Sequence, residues 1–251
     1  MRRDMLPWNL LGIVVTLGAW EIGGRMLGDG LLAPPSSVLA AFPALLRDGM
    51  AGTLGTAMLQ MLVGYACALL VGVPLGVLMG RSQMADRLLH PWLSMLLVTS
   101  TAALVPLFIL IFGTGMAFCG ALVFMASAFY IMLTAYQGAR GVDRRLMAVA
   151  RSFGATRMQA FRMVLLPGLF PYLVTGARVG LVHAIRAMVM AQMFVMVGFG
   201  GLIAQSGFDP STAGLLGLLV TIMLASLVLN RALDAAGHWL APWYRASKAG
   251  H

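Results

Sequence analysis

Between His90 and Arg140 the chain carries no Asp, Glu, Lys, Arg or His. An uncharged turn, Phe112-Gly113-Thr114-Gly115-Met116, divides this stretch into two apolar runs, 92–112 and 118–138. Each is near the ~20 residues that a helix needs to cross a bilayer. Similar runs occur at 7–26, 53–80, 170–197 and 212–230, so about six spans are expected. A soluble domain is roughly 25% charged, whereas this chain is 10% charged and 60% hydrophobic, with mean hydropathy +0.90. Long continuous runs without strong alternation argue for helices and against a barrel. The expected fold is therefore an all-α, polytopic membrane bundle forming a single domain over residues 1–251.

Smaller features fit that frame. Met1-Arg2-Arg3 before an apolar run imitates a secretory signal, but further spans follow without a clear small-residue cleavage site, so a retained first helix is expected. Leu32-Ala33-Pro34-Pro35-Ser36-Ser37-Val38-Leu39 predicts an extended entry into a short amphipathic piece at 36–47. Gly72, Gly76 and Gly80 place a small residue at every fourth position, which lets a neighbouring helix approach closely. Cys67 and Cys119 lie inside spans and read as small packing residues, and no metal site is expected.

Net charge +9 in a soluble chain would suggest nucleic acid. Here the basic residues sit in alternate connections and report orientation instead. Arg2/Arg3, Arg81/Arg87, the arginines of 143–167 and the tail with Arg231, Arg245 and Lys248 fall on one side. The 113–117 and 198–211 connections contain no Lys or Arg. Both termini and the 143–167 segment are expected in the cytoplasm.

That segment is the longest polar interruption. Leu146, Val149, Ala150 and Phe153 fall at i, i+3, i+4 and i+7, the stripe of a short helix. Gly154 ends it, and Thr156 is the expected N-cap of a second helix carrying Met158, Phe161, Val164 and Leu165. Two uses fit such a glycine-hinged elbow: an element lying in the headgroups, or a knob gripped by a soluble partner.

Ala150-Arg151-Ser152-Phe153-Gly154-Ala155, then Leu166-Pro167-Gly168-Leu169-Phe170-Pro171, resembles the EAA loop of binding-protein-dependent ABC importer permeases. Trp20-Glu21, Pro34-Pro35-Ser36-Ser37, Gly72-Val73-Pro74-Leu75-Gly76 and Phe112-Gly113-Thr114-Gly115 are similar to the nitrate/sulfonate/taurine branch, from about 20 to 236. The resemblance implies a MetI-like fold in a bacterial plasma (inner) membrane. It also implies a second permease copy, taken as a homodimer, a pair of cytoplasmic ABC ATPases, and an external solute-binding protein. ATP and Mg would be bound by the ATPases, with no cofactor in this chain. The coupling residues would be Leu146, Val149, Ala150, Arg151, Phe153, Gly154 and Ala155. Three positions depart from the pattern: Ala148 replaces the leading Glu, Ser100-Thr101 replaces a proline-rich opening, and Gln192 stands where an acid is usual. Independently, the only lysine, Lys248, is not in a Gly-Lys-Ser/Thr loop, so no conventional ATPase motif is present.

Arg186 falls about midway along the expected fifth span, where an arginine costs on the order of 3 kcal/mol. A charge there faces a bundle interior or a water-filled path, and no Asp or Glu stands at mid-depth to neutralise it. His183, one turn earlier, shares its face, and Gln192 is assigned to the same pathway more remotely. An anionic solute (sulfonate, nitrate or carboxylate) is the expected cargo. A gradient-driven transporter would place acids inside spans. An intramembrane hydrolase would need Ser206 to meet His183 or His238, whose expected depths keep them apart. Both rivals fit less well than a permease moved by a separate engine.

Overall fold

A computed structural model describes residues 5–240, with the side chains of 5–10, 144 and 238–240 left aside. Arg2, Arg3, Arg245, Lys248 and the side chains of Arg144 and His238 therefore lie outside the described residues. The order of elements is α1 (Met5–Leu27), α2 (Pro35–Arg47), α3 (Met50–Arg81), α4 (Gln83–Val98), α5 (Thr101–Phe112) and α6 (Met116–Gly141). Then come α7 (Arg144–Ser152), α8 (Arg157–Ala160), a π-helical turn (Phe161–Leu165), α9 (Leu166–Val195), α10 (Gly198–Ser206) and α11 (Ala213–Leu240). Among the described residues there is no strand. Among the described residues four helices are long and apolar enough to cross a membrane, or up to five if the bent pair α4 and α5 is one span.

The chain divides into two compact units. The first holds the described residues up to Ala57 together with Gln192–Ala225, and the second holds Met58–Ala191 with those from Ser226 onward.

In the second unit, α6 is the central helix, with buried residues from Phe118 to Ala139. Its neighbours approach through glycines. A Cβ added at Gly64 of α3 would stand 2.7 Å from the Gly120 carbonyl oxygen, and one at Gly72 would stand 2.9 Å from that of Ala128. At Gly76 and Gly80 the α6 backbone and the Ala135 and Ala139 methyls crowd at least as closely. On the other flank, a Cβ at Gly180 of α9 would meet Ile131 Cγ1 at 2.6 Å. Ile131 is thus keyed between a glycine of α3 and a glycine of α9. Tyr65 of α3 donates its hydroxyl to the Ala177 carbonyl of α9 at 2.6 Å, tying the outer two helices together. The outward face of α3 presents Leu59, Val63 and Leu70, as a lipid-contacting surface requires.

In the first unit, polar contacts set the geometry. Glu21 of α1 accepts the Ser36 backbone N–H at 3.2 Å and the Ser36 hydroxyl at 2.8 Å, holding the first turn of α2. Trp20 Nε1 donates to the Ala33 carbonyl at 3.2 Å. Thr212 receives the Ala33 N–H at 2.9 Å and donates its own hydroxyl to the Asp29 carbonyl at 3.0 Å.

Several expectations are corrected. The span expected over 92–112 is not straight: α4 and α5 meet at 105°. Thr99 and Ser100 are extended there, and the Thr99 hydroxyl bonds back to the Met95 carbonyl at 2.8 Å. Thr99, Ser100 and Thr101 are residue types that favour helix ends and turns over helix interiors, and the break falls on them. The 198–211 connection contains α10 rather than loop alone, and α11 continues through Arg231, which was expected in a tail, and on past Asp234. Arg178 of α9 pairs with Asp234 of α11.

Replacing Gly76 with Leu is expected to lower stability in detergent by at least about 2 kcal/mol through overpacking. A thermal melt compared with Gly55→Leu, whose Cβ would meet nothing within 4 Å, measures the effect.

Candidate functional site

The elbow begins at Asp143, whose Oδ1 caps α7 by accepting the Arg145 N–H at 2.8 Å. The expected stripe does form on α7, but it points away from the fold. Leu146 is 55% exposed, Val149 52% and Phe153 86%. The residue that holds α7 down is Met147, packed with Leu165, Leu169, Ala139 and Val142. The periodicity of the stripe concealed this, because Met147 lies beside it and not on it.

Gly154 turns the chain at φ +81°, a left-handed conformation that side chains resist. Its N–H donates to the Arg151 carbonyl at 2.9 Å, and the Ala155 N–H donates to that of Ala150 at 3.1 Å, closing the end of α7. Thr156 then caps α8 as expected, in a reciprocal pair with Gln159. Beyond this cap the helix runs on further than expected. Instead of a separate second helix and a span starting near 170, Arg157–Val195 forms a single helical stretch of 39 residues. Pro167 lacks an N–H and its ring would crowd the carbonyl four residues earlier. The π turn at Phe161–Leu165 widens the helix just before it.

Arg81 at the end of α3 reaches this region and donates to the Val142 carbonyl at 3.4 Å. A cleft of about 430 Å³ opens between Arg81, α7 and α8, with Ala148, Arg151 and Arg157 on its walls.

Further along α9, the His183 ring stacks on Tyr130 of α6, with centroids 3.6 Å apart and planes 12° from parallel. Arg186, one turn on, is exposed between buried Ile185 and Ala187 and makes no ion pair among the described residues. The two therefore share a helix segment but have different surroundings. Gln192 belongs to the first unit. It is buried, and its side-chain carbonyl accepts the Gly200 N–H at 3.0 Å across the α9–α10 turn. Among the described residues no group of three His, Cys, Asp or Glu is placed to hold a metal.

A comparison with known families matches residues 72–246 to the binding-protein-dependent transport system inner membrane component. The chain belongs to this family. It is a multi-pass permease subunit of an ABC importer in the inner membrane, and neither a gradient-driven carrier nor a hydrolase is favoured. A probable ABC transporter permease protein of Brucella melitensis is 30% identical over 96% of this chain and 99% of its own length. The taurine transport system permease protein TauC of Escherichia coli is 27% identical over 97% and 91%. The putative aliphatic sulfonates transport permease protein SsuC of the same organism is 29% identical over 98% and 93%. The fold is shared with the inward-facing MetNI methionine ABC transporter, at TM-score 0.57 and 22% identity over 80% of this chain and 96% of that one.

For this permease, Met147→Ala is expected to loosen α7 by about 1 kcal/mol, since half-buried methionine contributes less than a core one. Faster amide hydrogen exchange over α7, with no change in Phe153→Ala, is the expected result.

Proposed function

We propose that two copies of this chain pair in the membrane and import a small anionic solute of the sulfonate class, driven by an ATPase pair that grips α7. ATP and Mg would be held by those ATPases, and an external binding protein would deliver the solute. The basic residues flanking the spans support a cytoplasmic elbow with both termini on the same side.

The observation that carries the reading is Arg186. It is exposed on a single subunit, yet the helix around it is apolar. Lipid cannot cover a guanidinium cheaply, so a second copy or a water-filled path must meet it. A cation at such a boundary attracts anions and repels cations. The relatives TauC and SsuC are named for taurine and aliphatic sulfonates, solutes with a sulfonate group that a planar guanidinium can hold by two hydrogen bonds. His183, fixed by its stack on Tyr130, borders the same segment. Gln192 is the weaker pathway candidate, because its carbonyl already serves Gly200.

Coupling is assigned to the exposed face of α7 and to the Gly154 turn. Leu146, Val149 and Phe153 offer an apolar grip. Ala150, Arg151 and Ala155 belong to the same closed end, so force applied to α7 reaches the Arg157–Val195 helix through a single tight turn.

Uptake of labelled taurine and alkanesulfonates by a strain lacking the transporter, complemented with this chain and its partners, tests the reading. Arg186→Met is expected to lower uptake at least tenfold while the ATPase still co-purifies; undiminished uptake would place Arg186 outside the path. In Gly154→Pro, proline cannot adopt the positive φ and removes the N–H bonded to Arg151. ATP hydrolysis is expected to continue there while uptake falls about tenfold or more, and intact coupling would show that force bypasses the turn.

A further inference from the structure

The cleft beside α7 has an unusual charge balance. Arg81, Arg151 and Arg157 stand around it, over an apolar floor of Met147, Phe161 and Leu165, and none of its lining residues is acidic. Arg81 forms the back wall, held by the Val142 carbonyl. Arg151 and Arg157 are exposed and make no ion pair among the described residues. The nearest acid in sequence, Asp143, is engaged as the α7 cap and lines an adjoining cleft together with Arg140 and the same Arg81. Three like charges around one concavity raise its potential, and the apolar floor strengthens the field by excluding water.

Ala148 opens the wall of this cleft. It stands where the family's loop pattern has a glutamate. A glutamate here would lie three residues before Arg151 on α7 and could neutralise the arginines from within. With alanine the space stays open and no acid on α7 faces Arg151 and Arg157.

We propose that this cleft receives an Asp or Glu side chain from the partner ATPase. The inference rests on α7 being the ATPase-docking element. Guanidinium groups hold a carboxylate through paired, charge-assisted hydrogen bonds. The neighbouring Leu146, Val149 and Phe153 supply apolar contact without register, and a carboxylate seated among three arginines supplies the register. The polarity of the contact is then opposite to that of a loop with glutamate at this position: the permease offers the cations and the ATPase offers the acid.

The test compares Ala148→Glu with Ala148→Gln, which add nearly equal volume at an exposed position. Binding of the partner ATPase to the full-length permease is measured in detergent. The glutamate variant is expected to bind about tenfold more weakly than the glutamine variant, because its own carboxylate occupies the cleft. In an Arg151→Gln/Arg157→Gln background that difference should vanish. Equal binding by the two variants, or a difference that persists without the arginines, overturns the proposal. A difference found only with phosphatidylglycerol vesicles and not in detergent would assign the cleft to a lipid headgroup and also overturn it. Failure of the wild-type chain to bind any ATPase would instead remove the docking reading itself, and the inference with it.

Discussion

Apolar helices gain nothing hydrophobic by leaving lipid for one another, so α3, α6 and α9 must hold by close contact and by hydrogen bonds that lipid cannot offer. Glycines make that contact possible. Gly64, Gly72, Gly76 and Gly80 bring α3 onto the α6 backbone, and Gly176 and Gly180 let α9 close over the Thr134 and Ile131 side chains of α6. Ile131 fills the space between, and the Tyr65 hydroxyl spans from α3 to the Ala177 carbonyl. With this seam in place, α9 has a fixed rotation, and the faces presented by His183 and Arg186 are set by it. His183 is turned onto Tyr130, while Arg186 is left on the open side.

The elbow draws on the same seam. Met147 rests on Ala139, Val142, Leu165 and Leu169, residues belonging to the end of α6, the connection after it, the π turn and the start of α9. Because Arg157–Val195 is one helical stretch, the residues after Gly154 and those around Arg186 lie on a common rod. The π turn before Pro167 widens this rod without severing it. In the proposed cycle, displacement of α7 needs no chain of intermediaries to reach the pathway: it moves the helix that carries Arg186.

Polar ties of a different kind order the first unit. Trp20-Glu21 and Ala33-Pro34-Pro35-Ser36 are separated in sequence, yet they are each other's partners, through Glu21 to Ser36 and Trp20 to Ala33. Thr212 completes the arrangement by bonding both Asp29 and Ala33. Nothing local marks Thr212 for this role, since its partners lie 183 and 179 residues away. Gln192 is similar: its value to the α9–α10 turn depends on Gly200 coming back beneath it.

The class, the approximate helix positions, the elbow with its Thr156 cap and Gly154 turn, and membership of a permease family are all legible in the chain alone. These are local matters of hydropathy over some twenty residues, capping chemistry and short motifs, and each is written in neighbouring residues. Linear reading misplaces what depends on competition between distant or subtle terms. The bend falls at Thr99–Ser100, residue types with weak helix preference inside a run that hydropathy alone would continue. The fusion of the second elbow helix with α9 arises because a π turn accommodates Pro167 where a break was expected. Packing alone settles that Met147 anchors α7 while its apolar stripe stays open, that Arg178 pairs with Asp234, and that three arginines surround a cleft beside Ala148. The physical reason is common to all three: which face of a helix is covered depends on what packs against it, and periodicity names a face without naming its neighbour.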